Sequence, residues 1–563
     1  MEGDGELDAA CGSRAEMMAA CAAWPCVARW RRWMVLILAA GCIAAPAQRS
    51  APPPRSASQE FADGMALAQE GRWAAAESAL ERGWRLAPRE ERFPLELAGV
   101  AFKQKKNALA ERRLHQALRL APHDDYANQF LATLYFLDGN FEAALKYWNR
   151  AGKPQIGAVR ATPVPRVSPA LLDHAFAFAP ASTLLLPQYL ATETRLRGLG
   201  IFPEFQLELD MQADGSLNAT LRARELDGLG GAGWGDVLLA LRGLPFQAVE
   251  PGLWNLRREA VNVDSMLRWD AEKRRAFGRV SGPWEGKARY RWEAGADLRN
   301  ENWALRDSFT GPAPLLASFN MRTEKGGFDL VSFAGGRMGW RLGAEVSHRD
   351  FRNVEAGTVL TPQMLASGVA LKQQGQLTGV LWRVPEHRFI LSAGAEAETA
   401  RLWARPAQTF EKAAGSLCWQ WLPQRQGNDY ETRQQIRWGR IFGQAPLDEL
   451  YILGLERDND LPMHAHIGTR DGRKGSAPLG REYFLENAEM DKNIYSNGLV
   501  QVQLGPLLDI GRIADPGAAL GSQQWLFDTG AQLKVRALGV GLVFSYGRDL
   551  RTGNNAFYAE GLN

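Results

Sequence analysis

Much of this chain alternates between apolar and polar residues with a period of two. Val500, Val502 and Leu504 point one way and Gln501 and Gln503 the other. Ala531, Leu533, Val535 and Ala537 oppose Gln532, Lys534 and Arg536. Upstream, Ala288, Tyr290, Trp292, Ala294, Ala296 and Leu298 alternate with Arg289, Arg291, Glu293, Asp297 and Arg299, and Trp340, Leu342, Ala344 and Val346 with Arg341, Glu345 and Ser347. Successive Cβ atoms leave a strand on opposite faces, so each segment is a strand with one apolar and one polar side. Charges at every second position are costly to bury in a dry core without partners. They suit the wet inner wall of a membrane barrel, whose other face meets lipid. The pattern begins near Gly230, and at ~10 residues a strand it supplies about sixteen strands.

The stretch before this is different. Three segments repeat: Gly71-Arg-Trp-Ala-Ala-Ala-Glu-Ser-Ala-Leu leading to Pro88, Asn107-Ala-Leu-Ala-Glu leading to Pro122, and Gly139-Asn-Phe-Glu-Ala-Ala-Leu leading to Pro154. The prolines stand 34 and 32 residues apart, the spacing of paired-helix tetratricopeptide (TPR) units. The small residue at each tight turn is expected to let the paired helices pack closely, and proline to end the second helix. Such stacks present a concave groove to peptides or partner proteins. Further on, Pro187 to Leu199 reads as a helix with proline in its first turn. Two strands follow it, Phe205-Gln-Leu-Glu-Leu-Asp210 and Ser216 to Glu225, around a turn at Ala213-Asp-Gly215.

The N-terminus carries an export signal. Arg29, Arg31 and Arg32 precede an apolar run from Trp33 to Ala44, and Ala45-Pro-Ala47 is a small-x-small cleavage site. A lipoprotein signal at Ala39-Ala-Gly-Cys42 is the other reading of the same stretch, and residues before about Met17 can be an over-called start. No later stretch reaches ~18 uninterrupted apolar residues. The expected organisation is a signal peptide over 1–47, a linker over 48–58, TPR repeats over 59–155, an α+β module over 169–227 after a proline-punctuated link, and a barrel over 228–563.

The order of pieces near the C-terminus resembles the outer-membrane assembly barrels, a superfamily that includes surface-antigen barrels and two-partner-secretion translocators. Ile452-Leu-Gly454 matches the stretch that leads into their inward-folded loop. Asn487-Ala-Glu489 matches the strand after that loop, and Leu507-Leu-Asp-Ile-Gly511 a later strand, so Gly454, Asn487, Glu489, Asp509 and Gly511 are the family positions. Where the family loop carries Arg-Gly-Phe/Tyr/His, this chain has His464, Ala465 and His466, which departs from the family's lumenal arginine contact. The helix, turn and two strands over 187–225 resemble the second half of a POTRA domain, the periplasmic module that precedes such barrels and receives client strands at a sheet edge. Family barrels tend to end on an aromatic residue, whereas Phe557 and Tyr558 sit a few residues early here, in a closing strand that reads as short.

Composition narrows the chemistry. Sixty-six basic and 63 acidic residues nearly balance, which removes any bulk argument for nucleic acid. The 19 tryptophans and 57 glycines suit interfacial belts and crowded wall positions. Cys11, Cys21, Cys26 and Cys42 fall in the leader, so Cys418 stands alone downstream and cannot form an internal disulfide. Gly228 to Gly235 is glycine-rich but lacks the Lys-Ser/Thr of a phosphate loop. There is no Gly-x-Ser-x-Gly and no His-Glu-x-x-His motif. His464 and His466 lack a clear third ligand, so no metal site is expected; no catalytic residue, enzyme activity or cofactor is expected either. The expected fold is multidomain α + β: a TPR solenoid, a small POTRA-like module, and a transmembrane antiparallel β-barrel of about sixteen strands. The expected partners are outer-membrane lipid and protein or peptide clients, with the N-terminal domains in the periplasm. The function expected is insertion or translocation of proteins at the outer membrane; the alternative is a passive pore, or an anchor whose TPR array tethers a periplasmic partner.

Overall fold

The computed structural model describes residues 55–229, 244, 247–307, 313–355, 357, 360–424, 427, 429–496, 500–515, 520, 524–537 and 540–562. The expected signal peptide, with Cys11, Cys21, Cys26 and Cys42, and the glycine-rich run from Gly230 lie outside the described residues.

Among the described residues six helices come first: α1 (Ala57–Gln69), α2 (Trp73–Leu86), α3 (Arg92–Lys103), α4 (Asn107–Leu120), α5 (Asp125–Leu137) and α6 (Phe141–Trp148). They pack as consecutive pairs. Ser56 caps α1 by a capping box with Gln59, so the expected linker ends earlier than residue 58. Asp124 and Asn140 cap α5 and α6 through the N–H groups of Ala127 and Ala143, satisfying first-turn donors that would otherwise be orphaned. Gly71 and Gly139 adopt left-handed turns, φ +74° and +66°, and a side chain at either would meet open space. Glycine is used there for its backbone conformation, not for the close helix approach expected of it. That approach occurs at Gly83, where a Cβ would lie 2.4 Å from the Phe93 ring. Pro88 and Pro122 follow the ends of α2 and α4, as proline cannot continue a helix. Pro154 follows a short 3-10 turn, Asn149–Ala151.

A three-stranded sheet follows, built from β1 (Ile156–Ala161), β2 (Glu204–Met211) and β3 (Leu217–Arg224) in the order β1-β3-β2, with α7 (Pro169–Ala175) and α8 (Leu186–Gly198). The sequence pattern had shown α8, β2 and β3. It had not shown β1, which runs parallel to β3, so the module starts before residue 169.

The remaining strands are β4 (Ala248–Val249), β5 (Gly252–Leu256), β6 (Val261–Trp269), β7 (Lys273–Trp284), β8 (Lys287–Arg306), β9 (Leu315–Ser332), β10 (Met338–Glu355), β11 (Gly368–Val384), β12 (Phe389–Trp403), β13 (Gln408–Trp421) and β14 (Tyr430–Gly443). The short pieces β15 (Tyr451–Ile452), β16 (Thr469–Arg470), β17 (Arg473–Lys474) and β18 (Leu479–Gly480) come next. The chain ends with β19 (Glu482–Ser496), β20 (Val500–Ala514), β21 (Trp525–Ala537), β22 (Val540–Asp549) and β23 (Asn555–Leu562). Eighteen of these segments form one large, mainly antiparallel sheet. Both β4 and β5 pair with β6, and β16 and β17 form a small hairpin, so the number of full wall strands is near the sixteen expected. The closing strand β23 extends past Phe557 and Tyr558, which corrects the short strand expected there.

The phase of the alternation is as read. Leu298, Leu342 and Val346 are half or more exposed on the convex side, while Arg291, Asp297, Ser347 and Arg349 are buried on the concave side. Trp269, Trp284, Trp403, Trp421 and Trp525 lie exposed at strand ends. No described helix is long and apolar enough to cross a membrane, which says nothing about strands.

Several contacts fix the N-terminal elements to the sheet, including one at the third helix pair and one at the end of α8. The turn Pro385–His387 after β11 meets the third helix pair. Lys146 lies 2.6 Å from the Glu386 carboxylate, the Tyr147 hydroxyl donates to it at 2.7 Å, and Arg383 donates to Glu142 at 2.7 Å. Burial pushes the Glu386 carboxyl up, and the hydrogen bonds from Lys146 and Tyr147 outweigh that and hold it below its ordinary value. The end of α8 sits on the wall, where the Arg291 guanidinium donates to the carbonyls of Gly198 and Leu199 at 3.2 and 2.9 Å.

Candidate functional site

β14 and β19 pair directly, Trp438 against Phe484, although residues 444–481 stand between them. That segment folds back into the concave side of the sheet, and β15 pairs with β18 to close its neck. It touches the wall at three levels.

At the root, Glu449 is buried, 4% exposed. Its carboxylate lies 2.8 Å from Arg349 of β10, 3.3 Å from Lys372 of β11 and 2.6 Å from Lys412 of β13. Arg349 also reaches Asp448 at 3.2 Å. The fully buried guanidinium is thus met by two carboxylates, as a desolvated charge requires.

At mid-depth, Glu456 lies 3.4 Å from Lys273 of β7. Asp458 takes Arg275 of β7, Arg299 of β8 at 3.5 Å and Lys474 at 3.3 Å. Lys474 in turn meets Glu301 of β8 at 2.9 Å, and Arg457 pairs with Glu250 beside β4. One short segment therefore contacts walls from β7 and β8 to β13, and a cavity of about 250 Å³ beside it is lined jointly by β14, β19 and β23 residues such as Arg437, Asn487 and Tyr558. Only a sheet curled around the segment can offer so many strands to it.

At the tip, the expected residues come together. Asn487 of β19 donates to the Pro462 carbonyl at 3.0 Å and to Asp509 of β20 at 2.7 Å. Asp509 also accepts the His464 backbone N–H at 2.8 Å and faces His464 Nδ1 at 2.7 Å. Asp528 of β21 accepts the Ala465 N–H at 2.7 Å and lies 3.4 Å from His466 Nε2. Two histidines of the loop thus stand against carboxylates of the wall. The wall makes room: a Cβ on Gly547 would fall 2.2 Å from the His464 carbonyl oxygen, and one on Gly511 would fall 2.4 Å from the Met463 sulfur. Gly454 backs onto the His466 carbonyl at the same range, 2.5 Å. Glu489 lies outside this knot and pairs with Lys534 of β21 at 2.8 Å. Gly71, Pro88, Pro122, Gly139 and Pro154 belong to the helical array.

The register adds what the sequence pattern missed. Asn487 stands opposite Asp509, Asp509 opposite Asp528, and Asp528 opposite Asp549. Three aspartates, each at most 1% exposed, form a row across β20, β21 and β22. Like charges directly opposite each other destabilise a sheet unless something offsets them. A signal for the row was present: a bulky apolar residue followed by Asp-x-Gly stands at Leu508-Asp-Ile-Gly511 and again at Phe527-Asp-Thr-Gly530. The root carboxylate Glu449 had no such signal.

No protein-family model matches the chain, and no curated protein is detectably similar to it in sequence. Among solved structures, CdiB from Escherichia coli is similar over 72% of this chain and 75% of its own, at 14% identity and a TM-score of 0.46. BamA from Haemophilus ducreyi lacking POTRA domains 1-3 is similar over 72% and 84%, at 9% identity and a TM-score of 0.43. CdiB from Acinetobacter baumannii is similar over 80% and 81%, at 10% identity and a TM-score of 0.41.

Proposed function

We propose that this chain is an outer-membrane β-barrel protein of the assembly or translocation type. In this reading the curled sheet is closed and crosses the membrane, and the three helix pairs, read as TPR units, and the POTRA-like module lie in the periplasm and receive client proteins. The observation that carries it is the combination of a lipid-type wall with open binding surfaces on one chain. The convex side exposes apolar residues at alternate positions with tryptophans at strand ends, the arrangement of a lipid-facing band and its aromatic girdles. The ring order of the strands supports closure, which removes unpaired edges from lipid. β2 is an edge strand that pairs with β3, and such an edge can accept an extended client segment.

A passive pore or tether is the second reading. The fastening of the inward loop at three levels favours the tether in particular, because a client or solute moving through the interior must displace the loop. Depletion of the protein followed by an outer-membrane proteome separates the two. Broad loss of other barrels or of secreted proteins is the result expected for assembly or translocation. An unchanged proteome removes that role and leaves the pore or tether.

A further inference from the structure

We propose that His466, Asp528 and Asp549 form a divalent-cation site, with Zn²⁺ as its occupant, that fastens the loop tip to the wall. The proposal is independent of the assembly role. One nitrogen or oxygen from each of the three residues lies within 4.8 Å of the other two, and all three side chains are buried, at 7%, 0% and 0% exposure.

Two features distinguish this group from an ordinary buried ion pair. First, His466 Nε2 and Asp528 Oδ1 make no hydrogen bond to any described group, although both are shut off from solvent. Their separation of 3.4 Å is long for a charge-assisted hydrogen bond. It matches the ~3.3 Å between neighbouring ligands of a tetrahedral Zn²⁺ bound at ~2.0–2.1 Å. Second, hydrogen bonds already orient the carboxylates, through one oxygen of Asp528 and both oxygens of Asp549. Asp528 Oδ2 accepts the Ala465 N–H at 2.7 Å, which turns Oδ1 toward the imidazole. Asp549 accepts the Arg551 N–H at 2.9 Å and the Thr552 hydroxyl. Outer hydrogen bonds of this kind hold metal ligands in place.

Charge points the same way. The row Asp509–Asp528–Asp549 contains three buried carboxylates. Among the described residues, the ion-pair partners of these three are His464 and His466 alone, and Asp549 is held by neutral donors. A dication between Asp528 and Asp549 offsets their mutual repulsion and leaves a fourth position for water. One imidazole and two carboxylates are borderline-to-hard donors that Zn²⁺ accepts.

The test uses the full chain in detergent micelles, stripped with chelator, loaded with Zn²⁺ and desalted, with bound zinc measured by elemental analysis. The proposal expects about one zinc per chain, lost or weakened at least tenfold in Asp549→Asn and His466→Ala, and kept in His464→Ala, whose imidazole lies outside the triad. Zinc is also expected to raise the melting temperature of the wild-type chain, with no such rise from Mg²⁺, a readout that needs no variant to fold. A wild-type chain that retains no zinc and melts unchanged overturns the proposal and leaves a His466–Asp528 ion pair only. Equal zinc binding by Asp549→Asn also overturns it.

Discussion

Glu449 is the carboxylate on which the root of the inward loop depends. It gathers Arg349, Lys372 and Lys412 from three strands, and its loss leaves these three cations in a nearly dry site with Asp448, Glu345 and Glu398 as their only carboxylate partners among the described residues. Breaking a buried pair from one side costs on the order of 3–5 kcal/mol. Glu449→Ala is therefore expected to lower the chain's resistance to urea in micelles by that order, while Glu482→Ala, a part-exposed partner of Arg440, is expected to change it by less than ~1 kcal/mol. A second residue-scale prediction concerns pH. Glu386 has a folded value below its ordinary carboxyl value. Its contribution is fully present above the unfolded value of ~4.3 and is lost as pH falls through the lower folded value. Protease nicking between the helical array and the sheet is expected to rise below pH ~4 in the wild-type chain. Glu386→Gln is expected to lose that acid dependence; an unchanged acid profile in the variant assigns the dependence to another group. Such partners were not legible in the sequence. Arg349 and Glu449 are 100 positions apart, and alternation shows which side a charge faces but not which strand it meets.

At the scale of elements, much was legible. Period two exposed the strands and their phase because the wall separates a wet side from an apolar one. The period near 34 exposed the helix pairs because each unit buries the same face. What stayed hidden has local causes. β1 is six residues long and is recruited by a parallel partner far along the chain. The aspartate row depends on register between strands, which no single strand encodes. The loop is mostly irregular, so its course follows its ion pairs. Its seating can be tested at Gly547, where a side chain meets the His464 carbonyl. Gly547→Val is expected to release the tip and expose residues 461–468 to protease, while the sheet's circular dichroism stays unchanged. Equal protection in both chains contradicts that seating. In the helical array, Leu97→Ala removes a side chain 2% exposed and is expected to cost about 2–5 kcal/mol in an unfolding transition separate from that of the sheet.

At the scale of the whole molecule, charge holds the inward loop against the wall, and the proposed contact of the convex face with lipid can be tested at a single position. Val346 is 54% exposed in the run of β10. If that face meets lipid, Val346→Arg costs up to ~2–4 kcal/mol, whereas a water-facing arginine at the same place costs little. Single-channel conductance of the chain in a planar bilayer, wild type against Glu449→Ala, shows whether the wall spans lipid around a fastened loop, with circular dichroism confirming that both keep the sheet. Both chains are expected to insert, with a small conductance for the wild type because the fastened loop fills the interior, and a larger or more frequently opening conductance for the variant. Failure of the folded wild-type chain to insert, or equal conductance in the two, would contradict that arrangement.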